Sequence, residues 1–214
     1  MSKRKRKDFP PQENARRWTL RDLAVRLSQE HAIWFNEQLT SGPVRVEGAA
    51  LGVASALEDT SDPRDEYLRK QFENLENAID ELQTAINTYR RPADQRGAAQ
   101  IVQVIADLQA MAVRLGVEDI RKNLQEIYSN RTRTVGAIAA ALQEYKSLLE
   151  KLKGALGNPK NYQEIRFDLA KKLRKLAESG KLSNLGRQFG KDTTTLIILA
   201  NDLLDAVEAG TKQS

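Results

Sequence analysis

The sequence predicts an all-α protein: an elongated antiparallel helical bundle of seven or eight helices, preceded by a disordered basic N-terminal arm. Three observations predict it. Apolar residues recur every three or four positions through most of the chain. No segment sustains the period-two alternation of a half-buried strand, and β-branched runs are short. Gly and Pro fall where the periodic segments end, as at Gly42-Pro43, Gly116 and Gly157-Asn158-Pro159.

The arm comes first, and Pro10-Pro11 prevents any helix from reaching back into it. Thr19 to Asp22 is spaced like a capping box, so a helix is expected from there to about Thr40, with Leu20, Leu23, Leu27, His31 and Trp34 on one face. Gly42-Pro43 is expected to end it. The stretch from Val46 to Leu57 is small and apolar, and the four-residue spacing of Gly48 and Gly52 predicts a short helix packed closely on a neighbour. Thr60-Ser61-Asp62-Pro63 then marks a turn and the start of another helix.

Two heptad seams follow. Leu68, Phe72, Leu75, Ile79, Leu82, Ile86 and Tyr89 alternate by four and three residues, ending before Pro92. Ile101, Ile105, Leu108, Met111 or Ala112, and Leu115 offer an antiparallel partner closed by Gly116. A short helix is expected over Val117–Tyr128. The second seam comprises Val135, Ile138, Leu142, Tyr145, Leu149, Leu152 and Leu156. Beyond Pro159 the pattern predicts a basic helix over about Tyr162–Glu178 and a last apolar helix from Thr193 to about Ala209. In domain terms, residues 1–17 form the arm and 18–62 a helical segment packed on the bundle. Residues 63–157 form the long-helix core, and 158–214 add the basic and C-terminal helices to the same domain.

Composition narrows the function classes. The 214 residues are 40% hydrophobic and 29% charged, too apolar for disorder and too charged for a membrane protein. No apolar run approaches the roughly 18 residues a span needs. The Lys3–Lys7 run is followed by Asp8-Phe9-Pro10-Pro11-Gln12 where a signal peptide would be apolar. There is no cysteine and a single histidine, His31, which excludes disulfides, Cys–His zinc sites and two-histidine catalysis. A cytoplasmic protein without membrane partner is the expectation.

Charge is distributed unevenly. Lys3, Arg4, Lys5, Arg6, Lys7, Arg16 and Arg17 face only Asp8 and Glu13, so the arm carries the whole net charge of +5. A second basic block lies between Lys160 and Lys191, where Arg166, Lys171, Lys172, Arg174 and Lys175 decorate a helix whose buried stripe is Ile165, Leu169, Leu173 and Leu176. Lys181, Arg187 and Lys191 follow in a Gly- and Ser-punctuated stretch expected to form a flexible basic loop. Such zones neutralise phosphates without reading sequence. The bland counterpart, a solvated helix face, fits the same charges. Tyr162 is the one ring offered for stacking, Phe167 and Phe189 being expected in the core.

An enzyme finds little support. Glu73, Glu76, Asp80 and Glu81 form an acidic row of the kind that holds Mg²⁺ in all-α nucleotide pyrophosphatases, but the next helix has only Asp94 and Asp107. No P-loop, Rossmann, RNP, KH or zinc-finger pattern is present, so neither a cofactor nor a metal is expected. In size, helicity and basic zoning the chain resembles the small helical subunits of RNA-guided effector complexes, in composition only. That resemblance implies a non-enzymatic subunit of a nucleoprotein assembly, binding RNA or DNA through its backbone and touching other protein subunits. The alternative is a helical scaffold or adaptor of a phage particle or another self-assembling complex, whose heptad seams would pair between chains of a homo-oligomer.

Overall fold

A computed structural model describes residues 30–59, 65–90 and 98–211. The basic arm of residues 1–17, the Thr19–Asp22 opening, and the side chains of Leu20, Leu23, Leu27, His31 and Trp34 lie outside this description. The described residues form six helices: α1 Glu30–Glu58, α2 Asp65–Arg90, α3 Ala98–Arg114, α4 Glu118–Leu156, α5 Pro159–Glu178 and α6 Lys181–Thr211. None of them is in a strand.

Among the described residues the helices are fewer than the expected seven or eight because two expected breaks do not exist. The first is at Gly42-Pro43, which lies inside α1. Proline there removes an N–H that would have reached the Leu39 carbonyl. The helix survives because packing covers the defect: a Cβ on Gly186 of α6 would come within 2.9 Å of the Leu39 oxygen and 3.0 Å of the Thr40 oxygen. Only glycine lets the α6 backbone lie there. One turn earlier, the Thr40 and Ser41 hydroxyls donate back to the Asn36 and Glu37 carbonyls, a pattern that bends helices.

The second missing break is at residues 129–134. Arg131 and Thr134 occupy buried positions that extend the heptad seam, so α4 runs for 39 residues, about 58 Å. Ser129 and Thr132 donate to the carbonyls of Gln125 and Tyr128, both at 3.0 Å, instead of capping a new start. Acidic Glu118 and Asp119 open the helix and Lys153 closes it, each complementing the helix dipole.

This unbroken helix is the spine. Gln109 of α3 meets Gln125, Arg90 of α2 approaches Gly136, and Glu76 of α2 pairs with Lys153. The α2–α3 half of the chain therefore follows α4 antiparallel. On the other side Arg131 meets Thr193 and Glu144 meets Lys181, so α6 also runs antiparallel to the spine. Helix α1 packs against α2, α5 and α6. Its register is antiparallel to α2, with Gly42 against Leu82 and Gly52 against Gln71, and antiparallel to α5 and α6, with Ser55 and Glu58 on Arg174 and Glu47 on Leu182.

Both heptad seams are consumed inside this arrangement. Phe72, Leu75, Ile79, Leu82, Ile86 and Tyr89 are buried, as are Val135, Ile138, Leu142, Tyr145, Leu149 and Leu152. Only Leu68, half-buried, and Leu156, exposed, lie at their ends. Gly116 ends the α3 turn at φ +68°, with the paired bonds Val117 N–H to Ala112 at 2.9 Å and Gly116 N–H to Val113 at 3.2 Å.

The last expected helix begins twelve residues early, at Lys181. The 181–191 stretch is helical, not a flexible loop, because Gly186 and Gly190 serve as contact residues: a Cβ on Gly190 would come within 2.9 Å of Thr40 Cγ2. Of the Gly48–Gly52 pair, Gly52 abuts Gln71, whereas Gly48 is exposed with no atom within 4 Å of an added Cβ.

Two glycine substitutions should therefore move stability in opposite directions. Gly186→Ala forces a methyl into backbone carbonyls and should cost about 1–3 kcal/mol. Gly48→Ala adds helix propensity in open space and should stabilise by roughly 0.5–1 kcal/mol. Urea denaturation of both variants checks this; equal effects would refute the close crossing of α1 and α6.

Candidate functional site

The α5–α6 break positions the charged surface. Gly180 takes φ +62°, turning the chain over two residues, and α6 starts inside the bundle with its first N–H groups unpaired by helix geometry. Glu47 of α1, 8% exposed, reaches across and accepts from Leu182 N–H at 2.9 Å and Ser183 N–H at 3.1 Å. A carboxylate from another helix thus caps α6, where the helix dipole favours negative charge. Each such charge-assisted bond contributes on the order of 2 kcal/mol. Tyr145 is buried nearby; desolvation, reinforced by the Glu47 and Glu144 carboxylates, pushes its ionisation upward.

Outside this cap lies a groove of about 760 Å³ between α4, α5 and the start of α6. Ala140, Leu148 and Leu176 contribute apolar surface, and Lys151, Lys172, Lys175 and Lys181 line it with one carboxylate, Glu144. Four cations from three helices therefore converge on one open surface. Lys181 donates to Glu144 at 2.8 Å and Lys172 to Asp168 at 2.6 Å, whereas Lys151 and Lys175 have no ion pair among the described residues. Exposed lysine pairs of this kind are weakly coupled, so both retained cations stay available to an incoming polyanion.

The other predicted basic residues disperse. Arg174 turns toward α1, where it holds Glu58 through two bonds of 2.6 and 3.2 Å, Ser55 Oγ at 3.1 Å, and Glu178 at 3.8 Å. It is a structural clamp between α1 and α5. Arg187 donates to Asn184, and Lys191 is exposed four residues later on the same side of α6. Lys171 is exposed on α5. Arg166 lies with its guanidinium 4.5 Å from the centre of the Phe167 ring and 6.0 Å from that of Tyr162. Lys3, Arg4, Lys5, Arg6, Lys7, Arg16 and Arg17 are outside the described residues.

Two apolar expectations also change. Ile165 and Leu176 are 36% exposed and half-buried, while Ala170 and Ala177 complete the buried stripe with Leu169 and Leu173. Phe167 is 45% exposed, not core, whereas Phe189 is fully buried. The cause is geometric: Phe167 stands about 100° around the helix from the centre of that stripe.

Two of the four carboxylates in the acidic row on α2 are held in ion pairs within the chain. Glu76 pairs with Lys153, and Glu81 with Arg45 at 2.8 Å. Among the described residues no three His, Asp or Glu side chains gather as metal donors. No helix among them is long and apolar enough to cross a membrane.

Sequence reasoning missed a buried polar cluster. Arg131, 2% exposed, donates to Thr193 and lies 4.1 Å over the Phe189 ring, which Tyr89 meets edge-on at 5.8 Å. Burial lowers the Arg131 pKa, opposed by Tyr89 and Asp192. It lashes α4 to α6 and α2. A signal was available: Arg131 stands four residues before Val135, on the seam itself. Lys151 was also missed, since only packing shows that it faces the groove. Comparison with family models, curated proteins and solved structures gives no match.

The Arg174 clamp should make stability pH-dependent. Its hydrogen bond holds the Glu58 carboxyl below the usual carboxylate value when folded. That contribution is present above the ordinary Glu range and is lost as pH falls through the lowered folded value. Both side chains are partly exposed, and solvent screening keeps the effect small. Denaturant midpoints measured between pH 7 and pH 3 should show a smaller acid-dependent decline in Arg174→Ala than in the parent protein.

Proposed function

We propose that this protein is a non-enzymatic, all-helical subunit of a nucleoprotein assembly that holds nucleic-acid backbone in the groove lined by Lys151, Lys172, Lys175 and Lys181. The observation that carries the reading is their convergence from α4, α5 and α6 on one open surface. A groove in which four lysines outnumber one carboxylate, Glu144, between apolar walls concentrates positive field and attracts a polyanion. The absence of a recognition motif favours phosphate contacts over base readout. Lys171, Arg187 and Lys191 extend the positive surface on either side, and the basic arm of residues 1–17 adds a second phosphate-binding element in the same chain. Arg174 drops out, because its charge is held by Glu58.

A second reading, a helical scaffold or adaptor working by protein contact, is favoured by the groove's apolar residues. Ala140, Leu148 and Leu176 would receive an apolar side chain while the lysines meet flanking carboxylates, as Lys172 and Lys181 already do within the chain. Contact between subunits through the heptad seams is not part of this reading, since those residues are buried within one chain.

Fluorescence anisotropy with labelled oligonucleotides across a salt titration tests the proposal. Four phosphate contacts in the groove give a slope of roughly −3 for log K against log salt, with further slope from the arm. Reversing Lys151, Lys172, Lys175 and Lys181 to Glu should remove the groove's share of the slope and most of the affinity. A protein that binds no oligonucleotide at low salt, or a variant that keeps the full slope, would overturn it and favour the adaptor.

A further inference from the structure

We infer that the nucleic acid held by the groove is single-stranded, and that Phe167, backed by Arg166, is a stacking platform for an unpaired base. The inference rests on the groove reading above and adds the class of strand.

Phe167 is a large aromatic ring left 45% exposed on a helix otherwise crowded with charge. Leaving it there forgoes part of the stabilisation that fully burying a phenylalanine brings. The ring is nevertheless held in place. The Arg166 guanidinium lies 4.5 Å from its centroid and 6.0 Å from that of half-buried Tyr162, and Arg166 Nε is buried without a hydrogen-bond partner. An arginine lying over the Phe167 ring adds a flat, cationic group beside the exposed aromatic one. Bases stack on both kinds of plane without regard to sequence.

Position links this platform to the groove. Phe167, Lys171 and Lys175 are spaced by four residues, so they line one exposed face of α5, and Lys175 also lines the groove. From ring to Lys175 is eight residues, about 12 Å along the helix axis. A strand whose base stacks on Phe167 therefore runs its phosphates past Lys171 and Lys175 and into the groove with Lys151, Lys172 and Lys181. Duplex presents its bases edge-on and stacked on one another, so it can use the lysines but not the ring. An acidic peptide likewise has carboxylates for the lysines and nothing equivalent for the platform.

The test separates the ring from the charges. Anisotropy is measured with a labelled 15-mer oligo-dT, a 15-mer of the same backbone with abasic sites throughout, a 15-bp duplex and poly-glutamate. The intact protein should prefer oligo-dT over the abasic strand by roughly 5- to 150-fold, the range that one stacked base supplies. Phe167→Ala should abolish that preference while leaving the salt slope and abasic binding unchanged, and Phe167→Trp should restore it. Thermal unfolding of Phe167→Ala, expected near the parent because the ring is exposed, guards against a folding artefact. Equal binding of oligo-dT and abasic strand, or an unchanged preference in Phe167→Ala, overturns the platform but leaves the groove reading intact. Binding of poly-glutamate alone overturns both.

Discussion

The architecture depends on how a helix start is tolerated inside a bundle. An unbroken α4 of 39 residues needs a partner along its length, and α5 and α6 supply it in two pieces. A break there buries amide groups that helical geometry leaves unpaired, which is costly away from water. Glu47 resolves the conflict from a third helix, 135 residues away in sequence. The same break turns the chain so that Lys175 and Lys181, on opposite sides of it, share one groove with Lys151. The charged surface is thus a by-product of a backbone problem and its solution.

A second constraint sits further along the same contact between α6 and α1. Gly186 and Gly190 bring its backbone against α1 at the turn where Pro43 has removed a hydrogen bond. Small residues permit the crossing, and the crossing covers the defect. Arg131 then ties α4 to this pair through Thr193 and the Phe189 ring. Polar and small-residue contacts, more than extra apolar area, fix how the helices sit relative to one another.

Much of the fold was legible in sequence because burial follows periodicity. Both heptad seams are core, and Gly116 closes its helix as read, the structure adding that it does so in the left-handed region. What was not legible are the places where tertiary packing overrides local preference. Proline at 43 and the polar run 129–134 both argue locally for a break, yet each is spanned by a helix whose far side is supported. The basic block shows the same limit. Its membership could be read from composition, but α5 sends Arg174 to one flank and Lys172 to the other, a separation set by helix rotation. Glu47 was the lone charge in a small apolar stretch and Arg131 stood in a seam, so both signals were present without an obvious partner. Phe167 was misread because its spacing from the leucines was taken as that of a buried stripe.

The reach of Glu47 has a consequence for the order in which the chain assembles. Contacts between α1 and α6 join residues separated by well over a hundred positions, and closing such loops slows folding. As the polypeptide is synthesised, α1 emerges early with its proline-bearing turn and an apolar face that has no final covering. It can dock on α2, but its other faces wait for α5 and α6. The carboxylate that completes α6 is therefore made long before the helix it caps, and the lysine groove is among the last surfaces to take shape.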